Sequence, residues 1–512
     1  MGVIIRQSIK GTLVNYIGIA IGFVTTFFVL THYLTTEEVG LTRVLVDAAV
    51  LFSSFAQLGT SSSIIRFFPY FKDEESKNHG FFFWTVLIPF LGFFIFLGVL
   101  FLFKQPIMNA FAEKSPLFVR YFRFVIPLSL FMLYQSVFES NSNVLMRIVV
   151  PKAVREVGIR LALLGIYLMY GFHFISLNGL VIGFCVTYFL AMSVDIFYLL
   201  TLQKISFKPD LKYISKPLLR NFLFYTLFLI TAAIAGNITP LLNSFFVSAK
   251  MGLGFTGIFA IANYIATVIE IPNRSLNAIA QPNLSCSIKE QDWTRAESLC
   301  KSVSLHLLLT SAFIFFLIWI NIDFLFQILP KGETYRAGKW VVLIMGMARL
   351  SNSVFSISCN ALNFSRYYYM SLVCTFILTA SAIALNVMLI PVWGMEGAAC
   401  STLLSYLLYY IIILCIVKRK LHISVFSKAQ LKVVALILGL FICNYLWSIS
   451  LTSIFMKLPL KGFYLALIDS VVRTGVLLSA GIAVTCRWNI SPEVNKVVFT
   501  VLDYVKKRKL RP

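Results

Sequence analysis

The residues with chemistry to offer in this chain are charged and amide side chains set inside long apolar stretches. Three acid–base pairs stand at i,i+4 spacing: Arg43/Asp47, Glu156/Arg160 and Asp469/Arg473. That spacing puts the partners on one helix face. Gln135, Glu139, Ser142 and Asn143 recur at helical intervals and make one polar stripe on an otherwise apolar span. Asn237, Pro240 and Asn243 share another span, where Pro240 removes a backbone donor and frees a carbonyl near the two amides. Asn15, Asp195, Asn263, Glu270, Asn273, Arg274, Arg349, Asn352 and Asn360 complete the set. Asp195 has no cation close to it in sequence.

Ionisable groups at bilayer depth are costly and normally face a protein interior or a water-filled cavity. The plainer reading is that the pairs neutralise themselves and the amides glue neighbouring helices. The functional reading is a helical bundle built around something polar. His306 reads as a satisfied helix-end residue rather than a proton relay. No nucleophile–base–orienter set, H-E-x-x-H, phosphate-cradling glycine loop or G-x-G-x-x-G stands out. The expectation is therefore a protein that is not an enzyme and needs no cofactor.

These groups need a scaffold, and composition says which. The chain has 512 residues, 59% hydrophobic and 13% charged, with a mean hydropathy of +0.85. A soluble domain carries about 25% charged residues, so this is a polytopic helical membrane protein whose partner is the lipid bilayer. Continuous rather than alternating apolar runs exclude a β-barrel. The net charge of +23 falls mainly in the loops of one side, without a basic stripe interleaved with aromatics, which excludes nucleic acid. From nine scattered cysteines with no C-x-x-C pair, neither a metal site nor a disulfide framework follows. The first apolar run is too long for a cleaved signal, and the sequons beside spans are not read as glycosylated.

With a window of about 20 residues, the chain divides into about fourteen spans: 11–34, 41–66, 80–103, 120–143, 154–171, 176–200, 220–247, 254–281, 302–328, 338–362, 367–391, 395–417, 431–453 and 463–486. Arg6 and Lys10, then Lys152/Arg155/Arg160, Lys204 to Arg220, Lys418 to Lys428 and Lys506 to Arg511 fall on one side. The alternate turns carry little charge, so both termini are expected in the cytoplasm. The longest connections are amphipathic and basic and are expected to lie along headgroups. The hairpins at Gly11–Asp73 and Tyr225–Asp292 echo each other in spacing. The expected organisation is an N-lobe (1–200, spans 1–6), an amphipathic linker (201–219), a C-lobe (220–417, spans 7–12), a further span pair (418–486) and a basic tail (487–512).

Several stretches carry a resemblance. A span with Gly18 and Gly22 is followed by Tyr33-Leu34-Thr35-Thr36-Glu37-Glu38-Val39-Gly40-Leu41, then Leu58-Gly59-Thr60 and Arg66-Phe67-Phe68-Pro69. Gly257-Ile258-Phe259-Ala260-Ile261-Ala262 runs through Pro272 to Pro282, and Gly394-Met395-Glu396-Gly397-Ala398-Ala399 precedes the twelfth span. In order and spacing this resembles the polysaccharide-exporter branch of the multidrug/oligosaccharidyl-lipid/polysaccharide flippase superfamily. The resemblance implies an all-α integral membrane fold of about 14 transmembrane helices, in two six-helix lobes around a central cavity plus a C-terminal pair. It implies alternating access and a cargo of undecaprenyl-pyrophosphate-linked oligosaccharide. The cargo moves from the cytoplasmic to the outer leaflet of a bacterial inner membrane, for O-antigen, capsule or exopolysaccharide assembly alongside other assembly proteins. Members often carry an acid in the seventh span where this chain has Asn243.

A pyrophosphate diester carries about two negative charges and needs basic groups inside the bilayer. Arg43, Arg274, Arg349 and Arg473 are the candidates, because arginine suits bidentate phosphate contacts. Asn15, Gln135, Asn237, Asn263 and Asn352 suit the sugars. Asp47, Glu139, Asp195 and the Asn243 position are the candidates for coupling to H⁺ or Na⁺. The rival readings are a cation-coupled multidrug exporter of the same superfamily and a membrane enzyme of glycan assembly. Short external turns argue against the enzyme.

Overall fold

The computed structural model describes residues 14–73, 76, 78–202, 208–210, 213, 238–450, 462–496 and 500. Asn237, most of the seventh span, the basic residues Arg6, Lys10, Lys204, Lys212, Lys216 and Arg220, and the tail cluster Lys506 to Arg511 lie outside the described residues. Within them there is no β-strand, and eleven helices are long and apolar enough to cross a membrane.

The chain forms α1 (Val14–Tyr33), α2 (Thr36–Phe71), α3 (Asn78–Ala112), α4 (Pro116–Val144), α5 (Ile159–Gly171), α6 (Leu177–Thr201), α7 (Leu242–Lys250) and α8 (Leu253–Lys289). It continues with α9 (Trp293–Ile320), α10 (Gly332–Phe364), α11 (Tyr368–Lys420), α12 (Lys428–Ile449) and α13 (Phe463–Arg487). Many large apolar side chains stay exposed, such as Ile95, Phe101 and Leu102 on α3 and Ile442 and Tyr445 on α12. A water-soluble protein rarely leaves a contiguous apolar surface of that extent; facing lipid it costs nothing.

The start of α2 differs from the span read in the sequence. Thr35 and Glu38 form a capping box: the Thr35 hydroxyl accepts the Glu38 N–H at 3.2 Å, and Glu38 accepts the Thr35 N–H at 2.8 Å. This reciprocal pairing satisfies two otherwise orphaned donors, so the helix begins at Thr36 and Gly40 lies inside it rather than in the turn. Thr35→Ala is expected to cost about 1 kcal/mol, read as earlier thermal unfolding of the detergent-solubilised protein.

Elsewhere the breaks follow local chemistry. Pro272 supplies no N–H, and α8 tightens into a 3₁₀ turn at Val268–Glu270 just before it. Gly394 (φ 59°, ψ −131°) interrupts α11 between the eleventh and twelfth spans. Asp292 caps α9 by accepting the Arg295 N–H at 3.0 Å; that bond and the Thr294 hydroxyl hold its carboxyl below its ordinary value. The cap therefore contributes above the ordinary carboxylate range and is lost as pH falls through the depressed value.

Close contacts divide the chain into two compact units: 1–261 with 382–398, and 262–381 with 399–512. In the first, α4 is central and packs against α2, α3 and α6, around Ile64, Phe67, Phe82, Val137 and Leu199. In the second, α10 packs against α8 and α9, and α9 also carries α12. Its two apolar clusters centre on Leu284, Ile357 and Ile413, and on Phe316, Leu440 and Leu477. One pairing recurs in both units. Gln57 donates to Ser136 at 3.1 Å across α2 and α4, and Asn277 donates to Ser356 at 3.1 Å across α8 and α10, each pair 79 residues apart.

Candidate functional site

The second unit carries the densest polar constellation. Arg349 on α10 turns toward α8, where its Nη1 lies 3.4 Å from Glu270 and its Nη2 donates to the Asn263 side-chain carbonyl at 3.0 Å. Both charged side chains are largely shielded, 14% and 13% exposed. Asn352, one turn on, donates to Glu270 at 2.7 Å and accepts from Tyr410 of α11 at 2.5 Å. The tight turn at Val268–Glu270 sits where Glu270 meets these partners. Arg349 Nε is buried without a partner among the described residues. A donor left unmade in such surroundings costs about 1–3 kcal/mol, which favours an acceptor arriving from outside the protein.

A ladder of neutral groups continues from this cluster. Ser356 donates to Asn273 at 2.9 Å, Asn277 hydrogen-bonds both Asn273 and Ser356, and Asn360 donates to Asn277 at 3.3 Å. Glu270, Asn273 and Asn277 share one face of α8, and Arg349, Asn352, Ser356 and Asn360 share one face of α10. Such a seam offers amides and hydroxyls to a polar, uncharged ligand. Ser356, Asn277 and Tyr410 were not singled out in the sequence. Helical periodicity around Asn360 points to Ser356, whereas nothing distinguishes Tyr410 from its aromatic neighbours.

The remaining arginines are placed differently, although Arg473 Nε, like Arg349 Nε, is buried without a partner among the described residues. Arg274 is exposed on α8. Arg43 Nε holds Asp47 at 2.9 Å; the arginine side chain is 41% exposed and the aspartate 4%. Ser244 of α7 also donates to Asp47, beside the buried Asn243. Arg473 Nη2 donates to the Ile320 carbonyl at the end of α9 at 2.7 Å and lies 3.6 Å from Asp469. Trp447 donates to Asp469 at 2.9 Å. Arg473 thus ties α13 to α9, and Arg473→Ala is expected to destabilise the folded protein by about 1–3 kcal/mol, measured as a lower unfolding midpoint.

In the first unit Gln135 is buried on α4, its Nε2 without a partner among the described residues. Glu139 accepts from Arg155 at 2.8 Å, and Arg155 also reaches Glu156 at 3.3 Å. Arg160 holds Glu156 at 2.9 Å and donates to the Gly18 carbonyl. Asn15 is half-buried on α1. His306 has the partners expected of a satisfied histidine, with Ser491 at 2.9 Å and Glu493 at 3.8 Å. Among the described residues no group of three or more His, Cys, Asp or Glu side chains is placed to hold a metal.

Shielded ion pairs and amide ladders set among helices long and apolar enough to cross a membrane mark a multi-pass membrane protein with polar groups between its helices. The family of polysaccharide biosynthesis proteins matches residues 4–285, more than half of the chain, and the chain belongs to that family. The fold is that of flippases and exporters already solved. A structure of the lipid II flippase MurJ in an inward closed conformation superposes with a TM-score of 0.68 at 14% identity, covering 93% of this chain and 98% of that one. An inward-facing multidrug resistance MATE transporter of the MOP superfamily gives 0.59 at 12% identity, covering 80% and 98%. A MOP superfamily transporter from Pyrococcus furiosus, with a binding pocket of reverse polarity, gives 0.57 at 12%, covering 82% and 95%. No curated protein matches the chain in sequence.

Proposed function

We propose that the protein is a flippase for undecaprenyl-pyrophosphate-linked oligosaccharides. It carries them by alternating access from the cytoplasmic to the outer leaflet of a bacterial inner membrane, with both its termini in the cytoplasm. Its product feeds O-antigen, capsule or exopolysaccharide assembly by partner proteins. The moving parts in this reading are the six-span lobes 1–200 and 220–417. The observation that carries it is Arg349, a shielded guanidinium with one donor unspent, next to a ladder of amides. The arginine meets the pyrophosphate and the ladder meets the sugars. Membership of a polysaccharide biosynthesis family and a fold shared with a lipid II flippase support the same cargo class. Moving two negative charges outward across an inside-negative membrane releases about 2.3 kcal/mol per charge per 100 mV, so the potential favours export.

The test is a deletion strain. It is expected to accumulate lipid-linked repeat units and to lose surface glycan, both reversed by the wild-type gene. The fold shared with a multidrug MATE transporter favours drug export as a second reading. Unchanged glycan together with raised intracellular drug in the deletion strain would establish that reading instead.

A further inference from the structure

Asp195 on α6 is fully buried, and neither carboxylate oxygen has a hydrogen-bond partner among the described residues. The charged groups around it are already committed. Glu139 faces it from α4 and is paired with Arg155. Arg155, on the π-helical turn Val154–Gly158, divides itself between Glu139 and Glu156. Arg160 of α5 is taken by Glu156 and the Gly18 carbonyl of α1. Lys152, on the preceding Val149–Ala153 turn, acts on Glu139 from a distance. Tyr188, further along α6, faces Tyr167 of α5 and Arg160. Two guanidiniums thus serve two glutamates, and the third acid has no counter-ion in contact.

A bare carboxylate enclosed in apolar surroundings is far costlier than a carboxylic acid. A divalent cation asks for about six oxygen ligands, and among the described residues no group of three or more His, Cys, Asp or Glu side chains is placed to hold a metal. A proton asks for one oxygen. The geometry points to Asp195 as a proton-binding site that couples transport to the proton gradient, with Arg155 as the group that opens and closes it. This rests on the transport reading above. With Arg155 on Glu139, Asp195 carries the proton on one carboxylate oxygen. When Arg155 swings to Asp195, that O–H bond breaks and the proton leaves to water, while Glu139 stays ionised with Lys152 as its remaining nearby cation, so the second arrangement holds one proton fewer. The pair therefore has two discrete arrangements that protonation selects between. Arg155 stands on a π-helical turn, a feature frequent at functional sites, and its side chain is 48% exposed.

The test has two arms on the full-length purified protein. Difference infrared spectroscopy over a pH titration is expected to show the carbonyl stretch of a protonated carboxylic acid. Asp195→Asn should remove it, and Asp195→Glu should shift its titration. In vesicles with the potential clamped at zero, a fluorescent undecaprenyl-pyrophosphoryl disaccharide is the probe. One pH unit of gradient is expected to sustain about tenfold accumulation through the wild type, the ratio one proton can support, and none through Asp195→Asn. A band unchanged in both variants, or an unchanged gradient response in Asp195→Asn, overturns the assignment. Should Asp195→Asn fail to reach the membrane, Asp195→Glu decides: an unmoved titration and response overturn it equally. A wild type that leaves the probe stationary defeats the flippase reading, while the infrared band still judges Asp195.

Discussion

Arg349→Ala is expected to abolish surface glycan display while the protein remains in the membrane. The substitution removes the guanidinium proposed to meet the pyrophosphate and strips Glu270 of its cation, leaving that acid with Asn352 alone. Breaking a fully buried pair costs about 3–5 kcal/mol. Residual exposure of 14% and 13% places this pair toward the lower end of that range. Folding and transport are separable by a second substitution. Arg349→Leu with Glu270→Leu leaves no orphaned charge and is expected to recover thermal stability but not glycan display. Arg349→Lys keeps the charge and loses the fork that reaches Glu270 and Asn263 together, so it should fall between wild type and alanine. Arg43→Ala is also expected to abolish display; normal display in both alanine variants would remove these arginines from the site.

The second large effect lies where α2 and α8 begin. A Cβ on Gly40 would collide with the Leu253 carbonyl, and a Cβ on Gly257 would collide with the Thr36 carbonyl. Two backbones therefore cross in contact, and neither obstacle is a flexible side-chain end that can yield. Gly40→Leu and Gly257→Leu are each expected to cost about 3 kcal/mol or more, seen as loss of folded protein after mild heating in detergent. Gly439 of α12, with nothing within 4 Å of an added Cβ, is the control. Gly439→Ala should be neutral or stabilising by up to about 1 kcal/mol.

The helices were legible because lipid demands continuous apolar runs, and α4 and α6 lie within a few residues of the spans read from hydropathy, whereas α3 runs nine residues past its expected end. Local pairs were legible for the same kind of reason. Arg43/Asp47 and Glu156/Arg160 are one helical turn apart in sequence and pair as that spacing implies. What spacing could not show were partners brought together by packing. Glu270 and Arg349 are 79 residues apart, and only the α8–α10 contact joins them. Arg473 meets a backbone carbonyl, Ile320, and a carbonyl has no signature in sequence. Gly40 illustrates the opposite error. A glycine beside polar residues reads as a turn, but the Thr35–Glu38 capping box outweighs it and starts the helix earlier, freeing the glycine to admit a second backbone.

The central claim is that this polar interior passes a lipid pyrophosphate between leaflets without altering it. Reconstitution into vesicles that carry a fluorescent polyprenyl-pyrophosphoryl oligosaccharide in one leaflet measures this directly, through the fraction that becomes protected from a membrane-impermeant quencher. The account predicts protein-dependent protection of intact lipid with wild type, and none with Arg349→Ala. A probe that never leaves its leaflet in the presence of folded wild-type protein, or one recovered with its glycosidic or pyrophosphate bond cleaved, would contradict it.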